Sequence, residues 1–531
     1  MFQRIAISSA VLAGLAAAQT QPSNPVIKSD TRLVLVDVLV VNGATPVKDL
    51  TKDDFVLEDK GKKQPITVFD ITDAGKQPAP ASPLSPGIAT NRMNRKGETP
   101  GFATIVLYDK INTAASNQAF VRRQVLNLLA GLQATDAVGF YALGFKLETV
   151  RDYNDDPAPL VRVAKAMLQS NNPPDSFSVE DKALFKSLLD AISPMQELQP
   201  QARVDITYPA FQAIERHLSG VMGRKSLLWV TSVFPLTYGN STERRKNDQA
   251  EVDAFKNNLT NANIVLFPVD PGGTGASFNT SAGAPSANEG SLMPGAMRNS
   301  AGTSASNVTD TSMTGNQTMQ LLADATGGKA YRNANDITPA LREVIASTGY
   351  TYTLGFAPDE KALDGKTHDL KVTLVKKPAT EKAKVAHRKE YLAWGPKSPP
   401  EVQLRPSIAA VMSDPLDAGG IGMLSVSNPD PAKPGYQKLD VRLNGADLTF
   451  EPKGDQWAFA FDMAVGLDGQ PGGTVETFAQ TLTAQQLQSV RTGGLDVGKS
   501  INTNGTSGMF RVVVQDKATG TIGSVRVPFN K

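Results

Sequence analysis

Phe102-Ala-Thr-Ile-Val-Leu-Tyr-Asp109, followed by Lys110-Ile111-Asn112-Thr113, is the stretch on which the fold turns. Its central residues are almost all apolar or β-branched and carry no charge, the signature of a strand buried on both faces in the middle of a parallel sheet. A carboxylate stands where that strand should end. In open α/β sheets, ligands lie in the crevice outside the carboxyl ends of the strands, so Asp109, Asn112 and Thr113 are a site candidate by position. The spacing supports a second reading equally well, in which Asp109 ends the strand and Thr113 caps a helix that begins near Ala114.

Downstream, strand and helix alternate. Apolar residues at Phe120, Val121, Val125, Leu128, Leu129 and Leu132 predict a helix over 117–132. A strand at 136–145 and an edge hairpin at 147–151 follow, then helical stretches at 157–169, 180–193 and 205–222. Ser226-Leu-Leu-Trp-Val-Thr-Ser232 and Ile264-Val-Leu-Phe-Pro-Val-Asp270 are two more buried strands, separated by a charged helix at 242–260. The segment 271–316 has only Glu289, Arg298 and Asp310 charged and only Phe278 aromatic, too little to order itself, and reads as a flexible insertion. Helices at 317–326 and 336–347 flank Gly327-Gly328 and a short strand at 329–331, and strands at 350–356 and 368–375 complete the run. This alternation implies right-handed crossovers and a doubly wound, mostly parallel α/β sheet over 102–394.

Upstream, 31–73 reads as a small β unit, with a strand at 32–41 and a hairpin around Lys60-Gly61, joined through a Pro-, Ser- and Gly-rich linker at 74–101. Residues 1–18 read as a signal peptide: Arg4, an uncharged and mostly apolar run, then Ala16-Ala17-Ala18 before a linker at 19–30. The run is too short to span a membrane, and no later stretch reaches the required length of about twenty residues. The expected location is periplasmic or extracellular. Past a joint containing Pro396, Pro399, Pro400 and Pro406, alternating runs such as Gln437–Leu443, Trp457–Asp462 and Phe510–Gln515 make 395–531 a β-sandwich of immunoglobulin-like size.

Composition narrows the function. With 54 basic against 52 acidic residues, net charge calls for neither nucleic acid nor an anionic membrane. The absence of cysteine removes disulfides, thiolate metal sites and thiol catalysis. The histidines, His217, His368 and His387, are scattered and form no ligand pattern. There is no Gly-x-Ser-x-Gly elbow, P-loop or dinucleotide fingerprint.

The strand at 102–109, then Gly223-Arg-Lys-Ser-Leu-Leu-Trp-Val230, Val269-Asp-Pro271, Leu321-Leu-Ala-Asp-Ala-Thr-Gly-Gly-Lys-Ala-Tyr331 and Tyr352-Thr-Leu-Gly-Phe-Ala-Pro358 occur in an order that resembles the VWFA-related family of exported acidobacterial proteins. The β segment carrying Val36-Asp-Val-Leu-Val40 and Asp53–Asp59 is similar to the unit that precedes the A-type domain in that family. The resemblance implies a von Willebrand factor A-type domain, whose relatives often hold Mg²⁺ at a metal-ion-dependent adhesion site. Asp109 and Thr113 match the ends of the usual Asp-x-Ser-x-Ser, but Ile111 fills the middle and offers no oxygen. Thr207 supplies the loop threonine, while Thr231 and Ser232 stand where the distal Asp is expected. Asp270 falls two strands from Asp109 in that strand order. The resemblance therefore implies a degenerate site, with Asp109, Thr113 and Thr207 as metal ligands and no cofactor, or weakly bound Mg²⁺.

The expected function is protein–protein binding of the adhesion type through Asp109, Asn112, Thr113, Thr207 and Ser232 at the edge of the sheet. The partner would be a protein, with no nucleic acid and no membrane span. An envelope scaffold with no ligand site is the alternative. A hydrolase built from scattered carboxylates has least support, so no enzyme is expected.

Overall fold

Seven buried residues, Ala103–Asp109, form the middle strand of a five-stranded sheet. The computed structural model describes residues 33–530 apart from 44, 74–86, 92–101, 134–135, 137, 154, 222, 233, 235–241, 272–314, 333–335, 376–380, 394–406 and 471–472. The expected signal peptide at 1–18, the linker at 19–30 and nearly all of the insertion at 271–316 lie outside the described residues.

Across the sheet the order is Ile264–Val269, Lys225–Val230, Ala103–Asp109, Val138–Leu143 and Leu147–Arg151. The first four strands are parallel, and the last returns antiparallel as the expected hairpin. Tyr331 adds a single parallel bridge outside Val269. Because side chains alternate across a strand, the sheet feeds two cores. Val106, Tyr108, Phe140, Leu228 and Phe267 pack with helices Ala115–Ala130, Ala158–Met167, Val179–Ile192 and Thr338–Thr348. Ile105, Leu107, Tyr141, Leu227 and Trp229 pack with Pro200–Leu218, Thr242–Asn261 and Gly315–Thr326. Each fully buried Leu, Val or Phe contributes about 1.5–3 kcal/mol, so a strand with no exposed residue is held from both sides.

Two boundaries drawn from the sequence need correction. The strands at 350–356 and 367–374 do not join the parallel sheet. Tyr350–Phe356 lies antiparallel between Val34–Asn42 and Val68–Asp73, and Thr367–Leu374 pairs with Phe55–Asp59. They complete the N-terminal β unit around Val36, Leu57, Tyr352, Phe356 and Val372. The physical reason is that the strands of 34–73 bury too little alone, since a hairpin without further strands is marginal in water. The turn falls at Lys60-Gly61 as expected, with Lys60 at φ 46° and Gly61 at φ 75°, but Phe55–Asp59 pairs with Lys62–Gln64 rather than with 64–69.

The second correction concerns the linker at 74–101. Within it, Ile88–Thr90 is a strand paired with Met423–Pro429. Asn91 fastens it: its amide donates to the carbonyls of Ala418 (2.7 Å) and Ile421 (2.8 Å), and its Oδ1 accepts from the Met423 N–H (2.9 Å). The C-terminal region consists of two antiparallel sheets. One has the order Leu495–Asn502, Tyr436–Leu443, Met423–Pro429, Ile88–Thr90, and the other is built on Gln456–Leu467, Gly508–Asp516 and Ile522–Phe529. Both line one core that includes Leu439, Val441, Phe461, Val512 and Val527. No helix among the described residues is long and apolar enough to cross a membrane.

Candidate functional site

The carboxyl end of the middle strand folds back on its own last residue. Asp109 Oδ1 accepts from the Asn112 N–H (3.1 Å), and the Thr113 hydroxyl donates to the Asp109 carbonyl (2.6 Å). This local bonding is what short polar side chains offer a turning backbone. It also removes the capping role: helix Ala115–Ala130 has Ala114 at its N-cap with no side-chain cap, and its first N–H, from Ala115, donates to Glu197 (3.3 Å).

Asp109 Oδ2 accepts from the Asn112 side-chain amide (2.7 Å) and from the Trp229 indole N–H (2.9 Å). The same Asn112 amide donates to Thr207 Oγ1 (2.9 Å). Ser232 arrives by its backbone, whose N–H donates to the Asn112 carbonyl (3.3 Å). All five residues expected at the site are therefore brought together, and all are buried: Asp109 is 0% exposed, Asn112 1%, Thr113 2%, Thr207 0% and Ser232 6%. Asn112 Oδ1 and Ser232 Oγ have no hydrogen-bond partner among the described residues.

Burial pushes the Asp109 carboxyl up to about 6, while the bonds from Asn112 and Trp229 and the charge of Arg203 pull the other way. Three N–H donors on its two oxygens suit the ionised form, which accepts only. Gln118 ties the next layer together. Its amide donates to the carbonyls of Thr113 (3.1 Å) and Met195 (3.1 Å), and its Oε1 accepts from the Met195 N–H (2.8 Å). The loop at 193–199 is thereby tied to the start of helix Ala115–Ala130, where Glu197 bonds Ala115, and Gln196, Gln199 and Ser116 are exposed.

These residues do not fit Mg²⁺. A bound cation needs lone pairs directed at it in near-octahedral array. Here the Asp109 oxygens receive N–H groups, Thr207 Oγ1 receives an amide and Ile111 is packed in the core. The two unpartnered oxygens, of Asn112 and Ser232, are neutral. The expected ligands Asp109, Thr113 and Thr207 are joined here through an internal hydrogen-bond network. Asp270 lies at the end of the strand two removed from that of Asp109, as the strand order requires.

Trp229 and Gln118 were missed in the sequence. The signal was present for Trp229: an indole in a buried strand needs an acceptor, and a carboxylate at the end of the neighbouring strand needs donors. Gln118 gave none, because Met195, the partner that bonds both ends of its amide, lies 77 residues away in sequence.

No family model matches the chain, and no curated protein does either. Among solved structures it is similar to the human COPII-coat protein Sec24c, at 12% identity over 60% of this chain and 47% of that one, with a TM-score of 0.24. The chain thus spans about half the length of Sec24c. It is also similar to a von Willebrand factor type A structure from Catenulispora acidiphila, at 8% identity over 66% of this chain and 78% of that one, with a TM-score of 0.25. Likeness at this level carries no argument about function.

Proposed function

We propose that the chain is an exported protein-binding module whose partner docks on the carboxyl edge of a doubly wound, von Willebrand factor A-type sheet, without catalysis and without a working metal site. The strand order supports the architecture, since four parallel strands with one antiparallel edge carry helices on both faces. Within the same reading, the C-terminal region is an accessory β-sandwich, residues 1–18 direct export, and the family resemblance to exported acidobacterial proteins accounts for the N-terminal β unit.

The observation that carries the reading of the edge is the convergence on Asp109 of Asn112 and Trp229 and, through Asn112, of Thr207 and Ser232. A network that fixes several chain segments at one edge lowers the ordering cost of any partner that docks on them. The contacts themselves would come from exposed polar groups such as Ser116, Gln196 and Gln199, while the buried cluster positions them.

One observation favours the scaffold alternative, namely that none of the five expected residues reaches the surface. A hydrolase has less support, because both oxygens of the buried Asp109 carboxylate already accept N–H groups. The double variant Ser116→Arg/Gln196→Arg separates the first two. Both positions are exposed, so the thermal midpoint should stay within about 1 °C. Partners captured from envelope extract on the wild-type chain should be lost on the variant, whereas unchanged capture would favour the scaffold.

A further inference from the structure

On the other side of helix Pro200–Leu218, facing helix Thr242–Asn261, lies a cavity of about 110 Å³. Its wall is aromatic: Phe255 lies 5.3 Å from the Tyr208 ring and 4.7 Å from the Phe211 ring, with Leu259 beside them. Glu215 faces into it. Among the described residues none donates a hydrogen bond to this carboxylate; Arg216 and Lys225 act on it through charge. Both cations are committed elsewhere. Arg216 grips Asp414 through two bonds (2.7 and 2.8 Å), and Lys225 donates to the Ala262 carbonyl (2.8 Å). Burial accordingly pushes the Glu215 carboxyl up to about 7. An acid that no described residue partners, at the wall of an aromatic cavity, is a cost the fold carries, because a poorly solvated charge is stabilised only by a counter-charge.

We propose that this cavity binds a primary alkylammonium group, its aliphatic stem against Phe211, Phe255 and Leu259 and its charge on Glu215. Aromatic faces attract a desolvated cation in addition to the ion pair. The volume favours a slender group, since it falls below the roughly 150 Å³ that admits benzene. The same chemistry is offered by a free amine and by a lysine side chain of another protein. The site is separate from the carboxyl edge and does not rest on the reading of that edge.

Calorimetric titration of the full chain with n-butylammonium chloride, at about pH 8 so that Glu215 is ionised, tests this. Binding in the millimolar range is expected, with 1-butanol at least about tenfold weaker because it lacks the charge. Glu215→Gln should lose at least about tenfold in amine affinity with no loss of thermal midpoint, since a half-buried, poorly solvated charge is removed. Gln212→Trp, at the exposed rim, should block the cavity with Glu215 intact. A blocked peptide with a single lysine that binds as tightly as the free amine would assign the ligand to a protein partner, and tighter binding of the free amine would assign it to a small molecule. Equal binding of 1-butanol, or unchanged amine binding in both variants, would overturn the proposal.

Discussion

At the scale of single residues, the edge of the sheet depends on Asp109 keeping three N–H donors. Trp229→Phe retains the ring against Phe211 and Phe234 but removes the indole N–H from Asp109 Oδ2. Loss of one hydrogen bond to a buried charge should cost about 1.5–3 kcal/mol, measured as a fall in the urea midpoint at unchanged slope. A cost below about 0.5 kcal/mol would mean that water replaces the indole and that the network does not hold the edge. Asp109 was legible as the end of a strand, and Asn112 and Thr113 as its neighbours. Their burial was not, because the groups that close on them, Thr207, Trp229 and Ser232, are remote in sequence. The missing oxygen at Ile111 was legible, and that side chain packs in the core.

At the scale of elements, the buried strands were the most readable part, since an uncharged apolar run has few alternatives. Helix Pro200–Leu218 was placed from 205 onward, because the internal Pro209 masks a start that Pro200, at the first helical position, supplies. The strand at 350–356 was assigned to the parallel sheet and the strand at 88–90 was read as linker, since pairing over hundreds of residues leaves no local trace. Gly327-Gly328 marks where helix Gly315–Thr326 ends and the chain passes close beneath its neighbours. Gly327 has φ 79°, and a Cβ there would meet the backbone of His387; at Gly328 it would meet the Leu266 carbonyl. Gly327→Ala is therefore expected to cost at least about 2 kcal/mol, from the left-handed backbone together with the collision. Thermal denaturation that showed an unchanged midpoint would remove the close approach as an explanation of the Gly-Gly pair.

At the scale of the whole molecule, the α/β unit and the C-terminal sheets meet at His217. Both ring nitrogens face acceptors, Nδ1 the Asp417 carbonyl (2.7 Å) and Nε2 the Asp152 carboxylate (3.2 Å), an arrangement that suits the imidazolium. Burial opposes the charge, but Asp152, which also accepts from Tyr141 (2.7 Å), and Asp417 raise His217 above its usual value. A raised histidine gives its full stabilisation below the unfolded value of about 6.5 and loses it as pH rises through the folded value. Stability should thus decline from about pH 6 upward past neutrality, and His217→Gln should flatten that part of the profile, as followed by the thermal midpoint across pH. An identical slope in the variant would place the dependence elsewhere.

Whether the carboxyl edge binds directly, without a metal, is decided most simply by the affinity of the captured partner for the wild-type chain and for Ser116→Arg/Gln196→Arg, each with and without EDTA. Direct binding predicts that chelation changes the wild-type affinity by less than about twofold and that the variant loses at least about tenfold, roughly 1.4 kcal/mol. A large EDTA-sensitive loss in the wild type, or a variant that binds as the wild type does, would contradict it.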